Sequence, residues 1–150
     1  MKLHVYLDTS VISAAFDERN PERKALTEEF LAQVDKFDVY ISEITLVEIE
    51  KTTLEDLREK MRTLVQPFSV LKISDDVQGL TDELIRYGAV PPNSPEDAYH
   101  IAIAVIAGMD YLLSWNFRHI VRLKTRDVVR MVTTLKGYKP IDILAPAELI

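Results

Sequence analysis

The stretch Leu3-His4-Val5-Tyr6-Leu7-Asp8-Thr9-Ser10 decides how this chain is read. Its β-prone apolar run breaks abruptly at a carboxylate and two hydroxyls, and Val11-Ile12-Ser13-Ala14-Ala15-Phe16 then reads as helix. Asp8 therefore stands where a strand hands over to a helix. In open α/β sheets ligands bind outside the carboxyl ends of the strands, so an acid at that point calls for partners. The chain offers three: Glu48, Asp97 and Asn116.

Outward from this stretch, the sequence alternates strand and helix signals. Asp17-Glu18-Arg19-Asn20-Pro21 is a turn, and Pro21 suits the first position of a helix over 22–34, with Phe30 and Leu31 on its inward face. Phe37 to Ile41 reads as a second strand. Ser42 is placed to cap a third helix carrying Glu48, and 54–65 forms a charged amphipathic fourth. Past Pro67, residues 68–73 alternate like a third strand, 75–87 is helical, and Gly88 closes it. The Pro-rich stretch 89–95 is too short for a domain linker. Residues 96–107 are apolar nearly all round, which marks a buried helix. Residues 111–115 form a fourth strand ending at Asn116, 125–136 a last amphipathic helix, and 141–144 a brief strand. This alternation predicts an α/β fold: a short, mostly parallel sheet covered by helices on both faces, with 1–150 forming one domain.

The bulk properties narrow the chemistry. A chain of 150 residues buries roughly 70% of its unfolded surface without needing disulfides, and this one contains no Cys. Thiolate zinc sites and cysteine nucleophiles are thereby excluded. Asp8 interrupts any signal-peptide core, and the longest apolar run, 101–109, falls far short of the ~20 residues of a membrane span, so a cytoplasmic protein is expected. The net charge of −6 argues against a general nucleic-acid coat. Yet 116–130 holds five basic residues, Arg118, Arg122, Lys124, Arg126 and Arg130, against the single acid Asp127. Such a strip either guides a polyanion or is a solvated helix face.

Each acid also has a structural explanation. Asp8 suits a helix cap, Asp97 a capping box after Ser94, and Asn116 a turn. Glu48 projects with Ile44 and Val47, the residues expected to face the core, with Lys51 as its ordinary partner one turn away. Two strand ends, one helix start and one inward helix position can nonetheless converge on a single rim. Clustered carboxylates persist as anions only beside a cation. Oxygen donors without Cys or a His cluster favour Mg²⁺ or Mn²⁺ over zinc.

Together, Val5-Tyr6-Leu7-Asp8-Thr9-Ser10-Val11-Ile12, the helical Glu48, Asp97-Ala98-Tyr99-His100-Ile101-Ala102 and Asp110-Tyr111-Leu112-Leu113-Ser114-Trp115-Asn116-Phe117 resemble a PIN-domain ribonuclease. The likeness is strongest to the VapC-like toxins of type II toxin-antitoxin modules, and it runs through the chain in the family's order. It implies a three-layer α/β/α fold and a catalytic set of Asp8, Glu48, Asp97 and Asn116, with the first three as ligands of Mg²⁺ or Mn²⁺. The fourth position is often Asp in the family; with Asn116 there, a second metal would be held less firmly. Thr9, Ser10 and Ser114 match hydroxyl positions that orient a carboxylate or a water. Further implications are an RNA substrate, a small cognate antitoxin and a homodimer.

The expected reaction is metal-assisted hydrolysis of an RNA phosphodiester, with Asn116 positioning a water and Arg118, His119 and Arg122 receiving the phosphate chain. His100 is read as packed against the site, and Trp115 as core. A haloacid-dehalogenase-like phosphatase wants a second Asp where Ser10 stands, and dinucleotide and Walker-type loops want glycines that this turn lacks. The alternative is a catalytically weak PIN scaffold that binds RNA or a protein partner.

Overall fold

The computed structural model describes residues Met1 to Ile150. Its sheet comprises β1 (His4–Leu7), β2 (Asp38–Ser42), β3 (Ser69–Leu71), β4 (Tyr111–Leu113) and β5 (Asp142–Leu144), in the spatial order β3-β2-β1-β4-β5. All four pairings are parallel, a stricter result than the mostly parallel sheet expected. The helices are α1 (Thr9–Ala14), α2 (Pro21–Leu31), α3 (Glu43–Glu50), α4 (Glu55–Val65), α5 (Asp75–Arg86), α6 (Pro95–Ile106) and α7 (Leu123–Lys136). None is long and apolar enough to cross a membrane.

Because side chains alternate along a strand, the sheet divides two cores. Tyr6, Leu112 and Ile143 pack with residues of α5, α6 and α7, including Leu84, Ile101 and Val129. Val5, Leu7, Ile41 and Leu113 pack on the other face with Val11, Phe30, Ile49 and Met61 from α1 to α4. This is the three-layer arrangement. Each fully buried Leu, Ile or Phe contributes about 1.5–3 kcal/mol relative to exposure, which explains why strands of three to five residues suffice.

The chain leaves β1 toward β2 on one side and reaches β4 on the other, so the strand order reverses between β1 and β4. A crevice at such a reversal is where open parallel sheets bind ligands. Three predicted strands are shorter than read, β5 only by Ile141. β3 meets β2 only from Tyr40↔Ser69 to Ser42↔Leu71, and β4 stops at Leu113, where Ser114 and Asn116 bend into side-chain hydrogen bonds.

Candidate active site

Asp8 follows the last residue of β1 in extended geometry (φ −75°, ψ 164°), and its backbone N–H still donates to the Leu113 carbonyl at 3.1 Å. One carboxylate oxygen accepts from the Ser10 N–H at the start of α1. The other accepts from the Ser114 hydroxyl beyond β4. The cap reading of Asp8 is therefore correct for one oxygen and incomplete for the residue as a whole. Asp8 is 4% exposed, and a carboxylate buried that deeply requires such partners.

Ser114 in turn accepts the Asn116 N–H at 2.9 Å, and Ser10 Oγ accepts the Trp115 N–H at 2.9 Å. The two hydroxyls lie 3.4 Å apart. Asn116 Oδ1 accepts from the backbone N–H groups of Arg118 at 3.1 Å and His119 at 2.8 Å. The Oδ1 of the side chain expected to position a water is thus committed to a turn, while Nδ2 makes no hydrogen bond to the protein. That turn brings His119 Nδ1 to 2.9 Å from Asp97 Oδ2.

Asp97 stands in the first turn of α6. Ser94 makes no side-chain capping bond, so the capping box does not form, and Asp97 turns to His119 instead. Burial pushes the Asp97 carboxyl above its ordinary pKa; the His119 contact pulls against this, and the charge of Asp8 adds to the upward shift. Asp8 and Asp97 thus share one electrostatic environment.

Glu48 arrives from α3. That helix buries Thr45 and Ile49, and Ile44 packs half-buried against the core as expected, while Val47 is 54% exposed, which corrects its expected inward placement. With apolar residues at 44, 46, 47 and 49, the apolar pattern of this short helix marks no single stripe. Glu48 Oε1 accepts from Thr9 Oγ1 at 2.8 Å and lies 2.6 Å from His100 Nε2; Lys51 supplies only a background charge. Burial pushes the Glu48 pKa up, but His100, Thr9 and Lys51 outweigh it and hold the carboxyl below its ordinary value.

Behind His100, its Nδ1 lies 2.6 Å from the Tyr6 hydroxyl, which is 2.8 Å from Ser42 Oγ. The roles of Tyr6 and Ser42 were not read from the sequence. The available signal was a tyrosine inside a buried strand, whose hydroxyl must find a partner. Tyr6→Phe leaves His100 Nδ1 without its tyrosine partner, and a loss of about 1–3 kcal/mol is expected in urea unfolding with an unchanged slope.

Arg122 does not face the acids. Its guanidinium donates to Thr125 Oγ1 at 2.7 Å and to the Ala89 carbonyl at 3.1 Å, tying the loop after β4 to the Pro-rich loop. Arg118 is exposed beside the Asn116 turn. Trp115 is core, as expected, with Nε1 donating to Thr27 Oγ1 at 2.9 Å.

The structure thus links Asp8, Ser10, Ser114, Asn116, His119 and Asp97 in one hydrogen-bonded network and Thr9, Glu48 and His100 in a second. No three acidic or imidazole groups are gathered tightly enough to form a ready-made metal cage. In donor type and charge the residues nevertheless suit a hard cation: all three acids offer oxygens, and Asp97 sits in a field that disfavours its anion.

A PIN domain family model matches residues 5–123. A search of curated proteins finds no match. Among solved structures the chain is similar to the crystal structure of VapBC2 from Rickettsia felis bound to a DNA fragment from their promoter. Identity is 15% and the TM-score 0.57, with 94% of this chain and 97% of that one covered.

Proposed function

The chain belongs to the PIN domain family, and from that premise we propose that it is a metal-dependent ribonuclease, the toxin of a type II toxin-antitoxin pair. One observation carries the reading. Asp8, at the end of β1, is joined through Ser114, Asn116 and His119 to Asp97 at the start of α6, where burial and the charge of Asp8 raise the Asp97 pKa. A bound cation would favour the charged form of both carboxylates.

Asp8, Glu48 and Asp97 would hold Mg²⁺ or Mn²⁺, consistent with an all-oxygen donor set in a chain without Cys. The bound ion supplies Lewis-acid charge that polarises the scissile phosphodiester and acidifies water. The protein does the rest by positioning. Ser10 and Ser114 hold both oxygens of Asp8, and Thr9 and His100 hold one oxygen of Glu48. His119 steadies Asp97, and Arg118, exposed beside the Asn116 turn, would receive the RNA backbone. Arg122 acts indirectly, by fixing the loop that carries them.

RNA cleavage with Mg²⁺ or Mn²⁺ is the test. Activity is expected to vanish in EDTA and to fall by more than ~100-fold in Asp97→Asn, the upper end of what losing a supporting contact costs. Cleavage that persists in EDTA contradicts the proposal. RNA or protein binding without cleavage would instead favour the scaffold reading, which draws on the uncharged, turn-committed Asn116.

An antitoxin partner is supported by the likeness to a VapBC complex. The chain's net charge of −6 suits a basic partner segment. Co-expression with the adjacent small gene is expected to yield a co-purifying complex; a chain that purifies alone under those conditions contradicts the pairing. A homodimer in the cytoplasm completes the proposal.

A further inference from the structure

Building on the metal-nuclease reading, we propose that His100, backed by Tyr6, is a positioning residue that fixes Glu48 by one carboxylate oxygen and reserves the other for the ligand. Both contacts to Glu48 fall on the same atom: Thr9 Oγ1 at 2.8 Å and His100 Nε2 at 2.6 Å address Oε1. Oε2 accepts no hydrogen bond from the protein. The Glu48 side chain is 29% exposed, so a cation can reach the carboxylate while Oε1 is held.

The backing of His100 fixes where its proton lies. His100 is 2% exposed, and its Nδ1 is 2.6 Å from the Tyr6 hydroxyl, itself 2.8 Å from Ser42 Oγ. If the ring is neutral, Tyr6 donates to Nδ1 and the ring proton sits on Nε2. If the ring is charged, both nitrogens donate, Tyr6 accepts from Nδ1 and donates its own hydrogen bond to Ser42 Oγ. Either way Nε2–H points at Glu48. The remaining tautomer would set the bare Nε2 lone pair against an anionic oxygen 2.6 Å away. One hydrogen-bonded line therefore runs from Ser42 at the end of β2, through Tyr6 on β1 and His100 on α6, to Glu48 on α3. Four elements that meet only in the folded state thereby lock the carboxylate's rotation. Oriented carboxylates of this kind raise metal affinity, and losing their support typically costs ~10–100-fold.

The first test uses metal-free protein. Nitrogen-15 NMR of the His100 imidazole is expected to show a protonated, hydrogen-bonded Nε2, and that signal is expected to shift in Glu48→Ala. A bare Nε2 overturns the proposal whatever the metal does. The second test measures Mn²⁺ affinity by calorimetry. His100→Leu is expected to weaken binding by ~10–100-fold. His100→Gln, whose amide keeps a donor near the Nε2 position, is expected to recover most of that loss. In a Glu48→Ala background His100→Leu is expected to add nothing, because the effect passes through Glu48. An equal loss in that background, or no rescue by Gln, overturns the role. Thr9→Val removes the other donor to the same oxygen at a half-buried site and is expected to weaken Mn²⁺ binding even if His100→Leu fails to fold. Wild type that binds while His100→Leu and Thr9→Val both match it overturns the role alone. Wild type that binds no Mn²⁺ overturns the metal reading beneath it, and the role with it.

Discussion

Asp8→Asn is expected to reduce metal-dependent RNA cleavage by more than ~100-fold while leaving the protein folded. Of the three site acids, Asp8 alone is anchored on both oxygens, to Ser10 at the start of α1 and to Ser114 after β4. Its backbone is also held to Leu113. The substitution keeps a side-chain oxygen that can cap α1, so the stability change is expected to stay within about 1 kcal/mol. What it removes is the charge. Since the charge of Asp8 helps to raise the Asp97 pKa, neutralising Asp8 is also expected to lower it, an effect readable by carbon-13 NMR of the Asp97 carboxyl. Unimpaired cleavage by folded Asp8→Asn would remove Asp8 from the active site.

Ile101→Ala carries the largest expected stability loss, about 2–5 kcal/mol out of the roughly 5–15 kcal/mol that holds a domain together. Ile101 is 0% exposed at the centre of the core beneath α6. Truncation leaves a cavity between α6 and the sheet that neighbours on a packed parallel sheet cannot close. Leu135→Ala is the control. At 75% exposed, Leu135 is expected to change stability by less than about 0.5 kcal/mol. Urea unfolding of both variants decides the matter: similar midpoints for the two would contradict the buried placement of α6. Because α6 also carries Asp97, partial unfolding of Ile101→Ala should lower activity in proportion to the folded fraction and no further.

Much of the fold was legible because its strands are short apolar runs closed by polar breakers. The β1-to-Asp8 and β4-to-Asn116 junctions have the same form, and a parallel sheet with β1 beside β4 brings both to one edge. The buried α6 was legible because apolar residues surround it on every side. Glu48 was found through a periodicity that placed Ile44 correctly but misplaced Val47, since α3 buries Thr45 and Ile49 and exposes Val47. The correct face is chosen by β2, α4 and α6 packing around it, information no local window contains.

Long-range pairing explains the remaining differences. Tyr6 and His100 are 94 positions apart, and Glu48 and His100 are 52 apart. Only the crossover from α5 into α6 makes them neighbours. Asp97 and His100 share a helix face at the i,i+3 spacing, so the nearness of His100 to the acids could be read, whereas its specific grip on Glu48 could not. Arg122 looked like a free cation within a basic strip, but the Ala89 carbonyl that engages it comes from a loop 33 positions away. Asn116 showed both a turn and a site in its sequence context, and the structure gives its Oδ1 to the turn.

Calorimetric titration of the metal-free protein with Mn²⁺, run in parallel on wild type and Asp8→Asn, is the most direct measurement of whether these carboxylates are a metal centre. The expected result is saturable binding to wild type that EDTA reverses and that Asp8→Asn weakens by at least ~10-fold. Absence of binding to wild type, or equal binding to both proteins, would contradict it.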